Sequence, residues 1–165
     1  IEVLARLVPD HPDLRLRIIG EGPARATLAA RAADLGLADR IDFLGWLEEL
    51  AKHRVLAGSW LLLCPSLKEG WGRVVMEAAV HGVPTVAYRD AGGLAESVRD
   101  GVTGRLADDL EELAKHCGWL LEHEAERAAL GRAAREYAAT FSLERVLAEL
   151  GAVLARVSTG RSAGA

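Results

Sequence analysis

Residues 60–82 constrain the fold more than any other stretch. An apolar run at 60–64, Trp-Leu-Leu-Leu-Cys, reads as a buried strand. Gly70 and Gly72 then break the backbone, and Val74, Val75, Ala78 and Ala79 recur at helical spacing from about Arg73 to Gly82. A strand handed to a helix through a glycine loop is half of a parallel crossover. In open parallel sheets the ligand crevice lies outside the carboxyl ends of the strands. The first amides of the following helix lack intrahelical partners and carry the positive end of its dipole, which suits phosphate. Two carboxylates frame the loop: Glu69 just before the glycines, and Glu77 about one turn into the helix. A carboxylate only accepts hydrogen bonds and so suits hydroxyl donors. Phosphate between two groups that each grip hydroxyls describes a nucleotide sugar, with ribose on one side and hexose on the other.

The rest of the chain repeats the alternation. Strands are expected at 14–19, 41–44, 84–88 and 104–107, which with 60–64 makes five. Helices are expected at 1–7, stopped by Pro9; from Pro23 to about Leu35, ended by Gly36; and at about 47–57, closed by Gly58. Gly92-Gly93 opens a short helix to Val98. Asp108 is expected to cap a helix whose apolar face is Leu110, Leu113, Ala114, Cys117, Leu120 and Leu121. Another helix is expected at 124–137, and a last one capped by Ser142, with residues 158–165 as a disordered tail. Alternating strands and helices imply a doubly wound, mostly parallel α/β sheet with helices on both faces. The chain starts at Ile1 within a helical pattern, so a fragment of a longer protein is expected.

Charge and composition exclude several classes of function. The net charge is −4 and no basic stripe is present, which argues against nucleic acid as a partner. Cys64 and Cys117 sit in apolar patterns and read as small buried hydrophobes. No apolar run approaches the roughly 20 residues of a membrane span, and no signal peptide is visible. No metal-ligand spacing or Ser-His-Asp order occurs. His81, before a glycine at a helix end, reads as a cation that complements the dipole. Gly20-x-Gly22 lacks the third glycine of a dinucleotide fingerprint, since Arg25 stands there. Its glycines permit either close approach to a nucleotide or a plain turn.

The spacing Glu-x7-Glu within Pro-Ser-x-x-Glu-Gly-Trp-Gly-x-x-x-x-Glu-Ala resembles the donor site of retaining group 1 glycosyltransferases of the GT-B fold. The resemblance extends to residues 16–23, 41–45, 82–88, 92–98 and 100–106, and thins after Phe141-Ser142. It implies a Rossmann-like domain, the C-terminal half of a GT-B fold, spanning residues 1–157 and lacking its first strand and loop. In the family that missing loop carries an Arg and a Lys that grip the donor diphosphate, and an N-terminal domain binds the acceptor. Neither is expected in this chain.

The resemblance also implies roles. Glu69 would face the donor sugar as the catalytic carboxylate, and Glu77 would hold the ribose. Gly72, Arg73 and Val74 would offer amides to phosphate; Ser66, Gly70 and Trp71 would also belong to the donor-binding loop, with Trp71 shaping it. The Arg73 side chain would either add charge or stand solvated. Gly20, Gly22 and the backbone at Leu47 would meet the nucleotide, while Trp46 would either lie near the base or cover the surface. The implied substrate is a nucleoside diphosphate sugar, with no cofactor and no metal. The implied activity is metal-independent hexosyl transfer with retention, in polysaccharide or glycoconjugate synthesis. The expected location is cytoplasmic, with peripheral membrane association open for the intact enzyme. Two alternatives stand beside this reading: a non-catalytic nucleotide-binding module, and another GT-B enzyme such as a nucleotide-sugar epimerase.

Overall fold

A computed structural model describes residues 1–141. The expected cap at Ser142, the helix it would start and the tail at 158–165 lie outside the described residues. Within them the chain forms β1 (Leu16–Ile19), β2 (Ile41–Gly45), β3 (Leu62–Cys64), β4 (Thr85–Tyr88) and β5 (Gly104–Ala107). The helices are α1 (Glu2–Leu7), α2 (Arg25–Asp34), α3 (Glu49–Ala57), α4 (Arg73–Ala79), α5 (Leu94–Ser97), α6 (Leu110–Glu122) and α7 (Glu124–Ala139). Every strand pairing is parallel. The fold is α/β and Rossmann-like, and the strands' own alternation shows why helices cover both faces.

Successive strand side chains point to opposite faces. Along β4, Val86 joins Leu113, Cys117 and Leu120 of α6, while Ala87 joins Val75 of α4 and Leu94 of α5. Along β5, Ala107 and Leu106 divide between the same two clusters. Leu94, Leu113 and Leu120 are 0% exposed, each contributing about 1.5–3 kcal/mol of burial energy. Burial also pushes the Cys117 thiol up to about 12, so it packs as an inert hydrophobe.

The strands form two ladders, β1-β2 and β3-β4-β5, where the sequence suggests one sheet. Among the described residues no strand pairing joins them. The short helix α1 packs against both: Val3 enters the cluster under α6, and Leu4 the cluster of Ala32, Leu37 and Ile41.

Three local expectations shift. The strand expected at 60–64 is shorter, because Trp60 is 60% exposed and lies under the Arg127 guanidinium at 4.4 Å. The helix expected from Leu47 starts at Glu49. The cap of α6 is Asp109, whose carboxylate accepts from the Glu112 amide at 2.8 Å. Asp108 instead accepts from Arg89 at 2.9 Å, and Arg89 also binds Asp100 at 2.8 Å.

Candidate functional site

The carboxyl ends of β1, β2, β3 and β4 lead into Gly20, Leu47, Ser66 and the Gly92-Gly93 pair, so the loops that carry these residues lie at the carboxyl edges of the parallel ladders. β2 carries an irregularity opposite Ile18 and Ile19, which brings Ile19 level with Gly45. The Gly20 amide then donates to the Gly45 carbonyl at 2.7 Å. An open hollow of about 470 Å³ lies beside this join, lined by Glu21, Gly22, Arg25, Phe43, Leu44 and Gly45. A Cβ at Gly20 or Gly22 would meet nothing within 4 Å. These glycines are therefore not demanded by packing, although Gly20, at φ +121°, holds a backbone conformation that side chains disfavour. Trp46 stands 70% exposed at this edge, so it does not act as a packed cover.

The second group is the loop after β3. The Glu69 amide donates to the Ala91 carbonyl at 2.9 Å, and the Gly93 amide donates to the Glu69 carbonyl at 3.1 Å. Residue 69 is thereby bridged to Gly92 in parallel fashion. The Glu69 side chain is held as well: Ser66 Oγ lies 3.4 Å from one carboxylate oxygen, and the Gly70 amide 3.2 Å from the other. Trp71 packs edge-on against Phe141 at 4.6 Å, and Phe141 against Tyr137 at 4.9 Å. The Tyr137 hydroxyl donates to the Glu96 carbonyl at 3.0 Å. The Trp71 side chain thus braces the loop against α7.

Gly72 caps α4 at φ +71°, and a Cβ there would come within 2.7 Å of Leu94. That left-handed turn swings the chain into α4. Among the described residues no acceptor meets the amides of Gly72, Arg73 and Val74. The Arg73 side chain is 90% exposed and its nearest carboxylate, Glu77, is 3.9 Å away, so it stands solvated. Glu77 is only 19% exposed and meets Lys52 of α3 at 2.9 Å.

Ser66, Glu69, Gly70, Trp71, Gly72, Arg73, Val74 and Glu77 therefore belong to one loop and helix, and Gly20, Gly22 and Leu47 to the neighbouring strand ends. No hydrogen bond or ion pair among the described residues ties the two groups together. Among those residues no cluster of three or more His, Cys, Asp or Glu could hold a metal ion, and no helix is long and apolar enough to cross a membrane.

Residues 1–137 match the family described as Glycosyl transferases group 1. The chain belongs to this family. Among curated relatives, it is 37% identical over 150 residues to a GDP-mannose-dependent alpha-(1-6)-phosphatidylinositol monomannoside mannosyltransferase of Mycolicibacterium smegmatis, covering 83% of this chain and 39% of that protein. It is 35% identical over 150 residues to an exopolysaccharide phosphotransferase of Streptomyces coelicolor, covering 89% of this chain and 16% of that one. The solved structure of Anabaena HepE in complex with UDP and glucose superposes with a TM-score of 0.82 at 26% identity, covering 94% of this chain and 43% of HepE. The chain thus spans well under half the length of these relatives.

Two features of this group 1 domain escape its sequence motifs. Gly92-Gly93 reads as a helix opener, yet its position against residues 69–70 is what fixes the loop. Its signal was a glycine pair after the strand next to β3. The other is a pair of histidines. His81 does not stand as a cation at a helix end; its Nε2 lies 2.7 Å from His53 Nδ1. Two ring nitrogens that close need one to accept, so both rings cannot be fully protonated. Burial holds the His81 pKa below its ordinary 6.5, with further depression from His53 and Arg135. A base with a depressed folded pKa contributes stability above its unfolded value, and that stability is lost as pH falls through the folded pKa. The melting temperature should therefore drop as pH falls from about 7 to 5, and His81→Asn should flatten that slope. Identical pH slopes for the two proteins would refute the assignment.

Proposed function

We propose that this chain is the C-terminal, donor-binding part of a retaining glycosyltransferase that moves a hexose from a nucleoside diphosphate sugar to an acceptor hydroxyl. The observation that carries the reading is the placement of Glu69 and Glu77 on either side of the Gly72–Val74 amides, at the carboxyl edge of a parallel sheet, in a group 1 chain. Glu77 holds the ribose, the loop amides meet the diphosphate, and Glu69 faces the sugar. Gly20, Gly22 and Leu47 line the nucleotide's path. HepE, bound to UDP and glucose, and the mannosyltransferase, dependent on GDP-mannose, support the substrate class.

In the proposed reaction the diphosphate leaves with the electron pair of the anomeric C–O bond. The acceptor oxygen bonds the anomeric carbon from the same face, and its proton passes to a leaving phosphate oxygen. The protein's part is positioning and stabilisation of the leaving charge. The two ladders are consistent with a doubly wound sheet: their pairings correspond to the 3-2 and 4-5-6 parts of that strand order.

The test is titration of the full-length protein with UDP, GDP and ADP, followed by NMR of the anomeric proton in the product made from the matching sugar donor. Binding of one nucleotide and a product with the donor's anomeric configuration are expected. An inverted product would overturn the retaining mechanism. A second reading is a nucleotide-binding module without glycosyl transfer: the Streptomyces relative, matched over 16% of its length, is named for phosphoryl and not glycosyl transfer. Nucleotide binding with no glycoside formed from any donor would favour it.

A further inference from the structure

We infer that Lys52 is a positioning residue for the donor's ribose, its ammonium fixing the Glu77 carboxylate in the orientation that receives ribose hydroxyls. The inference rests on the proposed role of Glu77. Lys52 lies on α3, 25 positions before Glu77 on α4. Its Nζ is 2.9 Å from Glu77 Oε2 and 3.1 Å from Glu49 Oε1, and the Lys52 and Glu77 side chains are each only 19% exposed. A surface ion pair restrains little, because water competes for both partners. A partly buried pair is held more firmly, since less water competes for its partners.

The geometry divides the carboxylate's work. Oε2 is committed to Lys52, while among the described residues Oε1 meets only the solvated Arg73, at 3.9 Å. One oxygen thus remains to accept from a hydroxyl, and its direction is set by the bond on the other. Lys52 also meets Glu49, which lies 3.2 Å from His53 Nε2, but this exposed pair on the same helix restrains the ammonium less than Glu77 does. Glu77 first, and Glu49 after it, raise the Lys52 pKa, which keeps the ammonium charged. An untethered glutamate would have to freeze its torsions on binding; one already tethered gives up less freedom. Lys52 could instead be a clamp that merely joins α3 to α4. The two roles differ in what they do to ribose recognition.

In the full-length protein, UDP, GDP and ADP are titrated, and the tightest binder is compared with its 2′-deoxy counterpart. Lys52→Met is expected to weaken the ribonucleotide about tenfold while changing the deoxynucleotide little, so the ribose preference shrinks. Lys52→Arg, which keeps the charge, should recover most of it. Adding Lys52→Met to Glu77→Gln should cost nothing further, because the two act as one unit. Should Lys52→Met not fold, Lys52→Gln carries the same comparison. A lowered melting temperature with an unchanged ribose preference would make Lys52 a structural clamp and overturn the inference. So would an Arg variant as weak as the Met variant. If Glu77→Gln abolishes the preference and Lys52→Met does not, the Lys52 role fails alone. If Glu77→Gln leaves the preference intact, the ribose assignment of Glu77 fails and takes this inference with it.

Discussion

Glu69→Gln in the full-length protein is expected to lower sugar transfer by about 100-fold or more while leaving affinity for the free nucleoside diphosphate within about twofold. The expectation follows from the side of the loop on which Glu69 stands. The proposed ribose contact is Glu77, beyond the glycines, so a nucleotide without its sugar has no reason to touch Glu69. Glutamine keeps the side chain's size: its oxygen can accept from the Gly70 amide at the 3.2 Å position, and its NH2 can donate to Ser66 Oγ at the 3.4 Å position. The backbone bonds of residue 69 to Ala91 and Gly93 do not involve the side chain at all. Loop shape should survive, and what is lost is negative charge at the sugar. The comparison needs turnover and nucleotide affinity measured on the same preparations, with melting temperature as the check on folding. A nucleotide affinity that falls as far as turnover does would place Glu69 on the nucleotide instead.

The elements around this loop were legible because local chemistry decides them. Strand β4 is covered on both faces, so 84–88 stands out as a nearly continuous apolar run, whereas β5, which carries Arg105, is marked as an edge strand by the Asp100-Gly101 turn before it. Gly72 and Gly82 mark the two ends of α4, and both hold positive φ angles, +71° and +72°. The site's second layer was not legible, because it is made of contacts between distant positions. Lys52 and Glu49 share a helix at a spacing that any sequence reading can flag. The partner that gives Lys52 meaning, Glu77, is on another helix, and only packing of α3 against α4 brings them together. The His53–His81 pair arises from the same packing. Trp60 shows the converse failure: an apolar run extends a strand on paper, whereas a partially exposed indole under Arg127 satisfies the same composition outside it.

Gly93→Ala is expected to destabilise the fold and to abolish nucleotide binding, although alanine suits the backbone there. Gly93 sits at φ −68° and ψ 0°, a conformation open to any residue. The obstacle is space: a Cβ would collide with the Gly70 carbonyl oxygen and come within 3.2 Å of the Trp71 Cα. These are backbone atoms, so no side-chain rotation relieves the overlap and the 69–71 segment must move away. That movement breaks the Gly93-to-Glu69 bond of 3.1 Å and the Glu69-to-Ala91 bond of 2.9 Å, which hold the loop at the sheet's edge. Overpacking of this kind costs about 1–3 kcal/mol, or a few degrees of melting temperature for a domain of this size. The larger effect falls on function, because both carboxylates and the loop amides take their positions from this segment. Gly58→Ala is the control. Gly58 has φ −91°, and the nearest atom its Cβ would meet is the Arg54 carbonyl oxygen at an ordinary 3.5 Å. Its stability should hold or rise by up to about 1 kcal/mol, with binding intact. Full nucleotide affinity and a native melting temperature in Gly93→Ala would mean that the loop is positioned by its own turn and not by the strand end beside it.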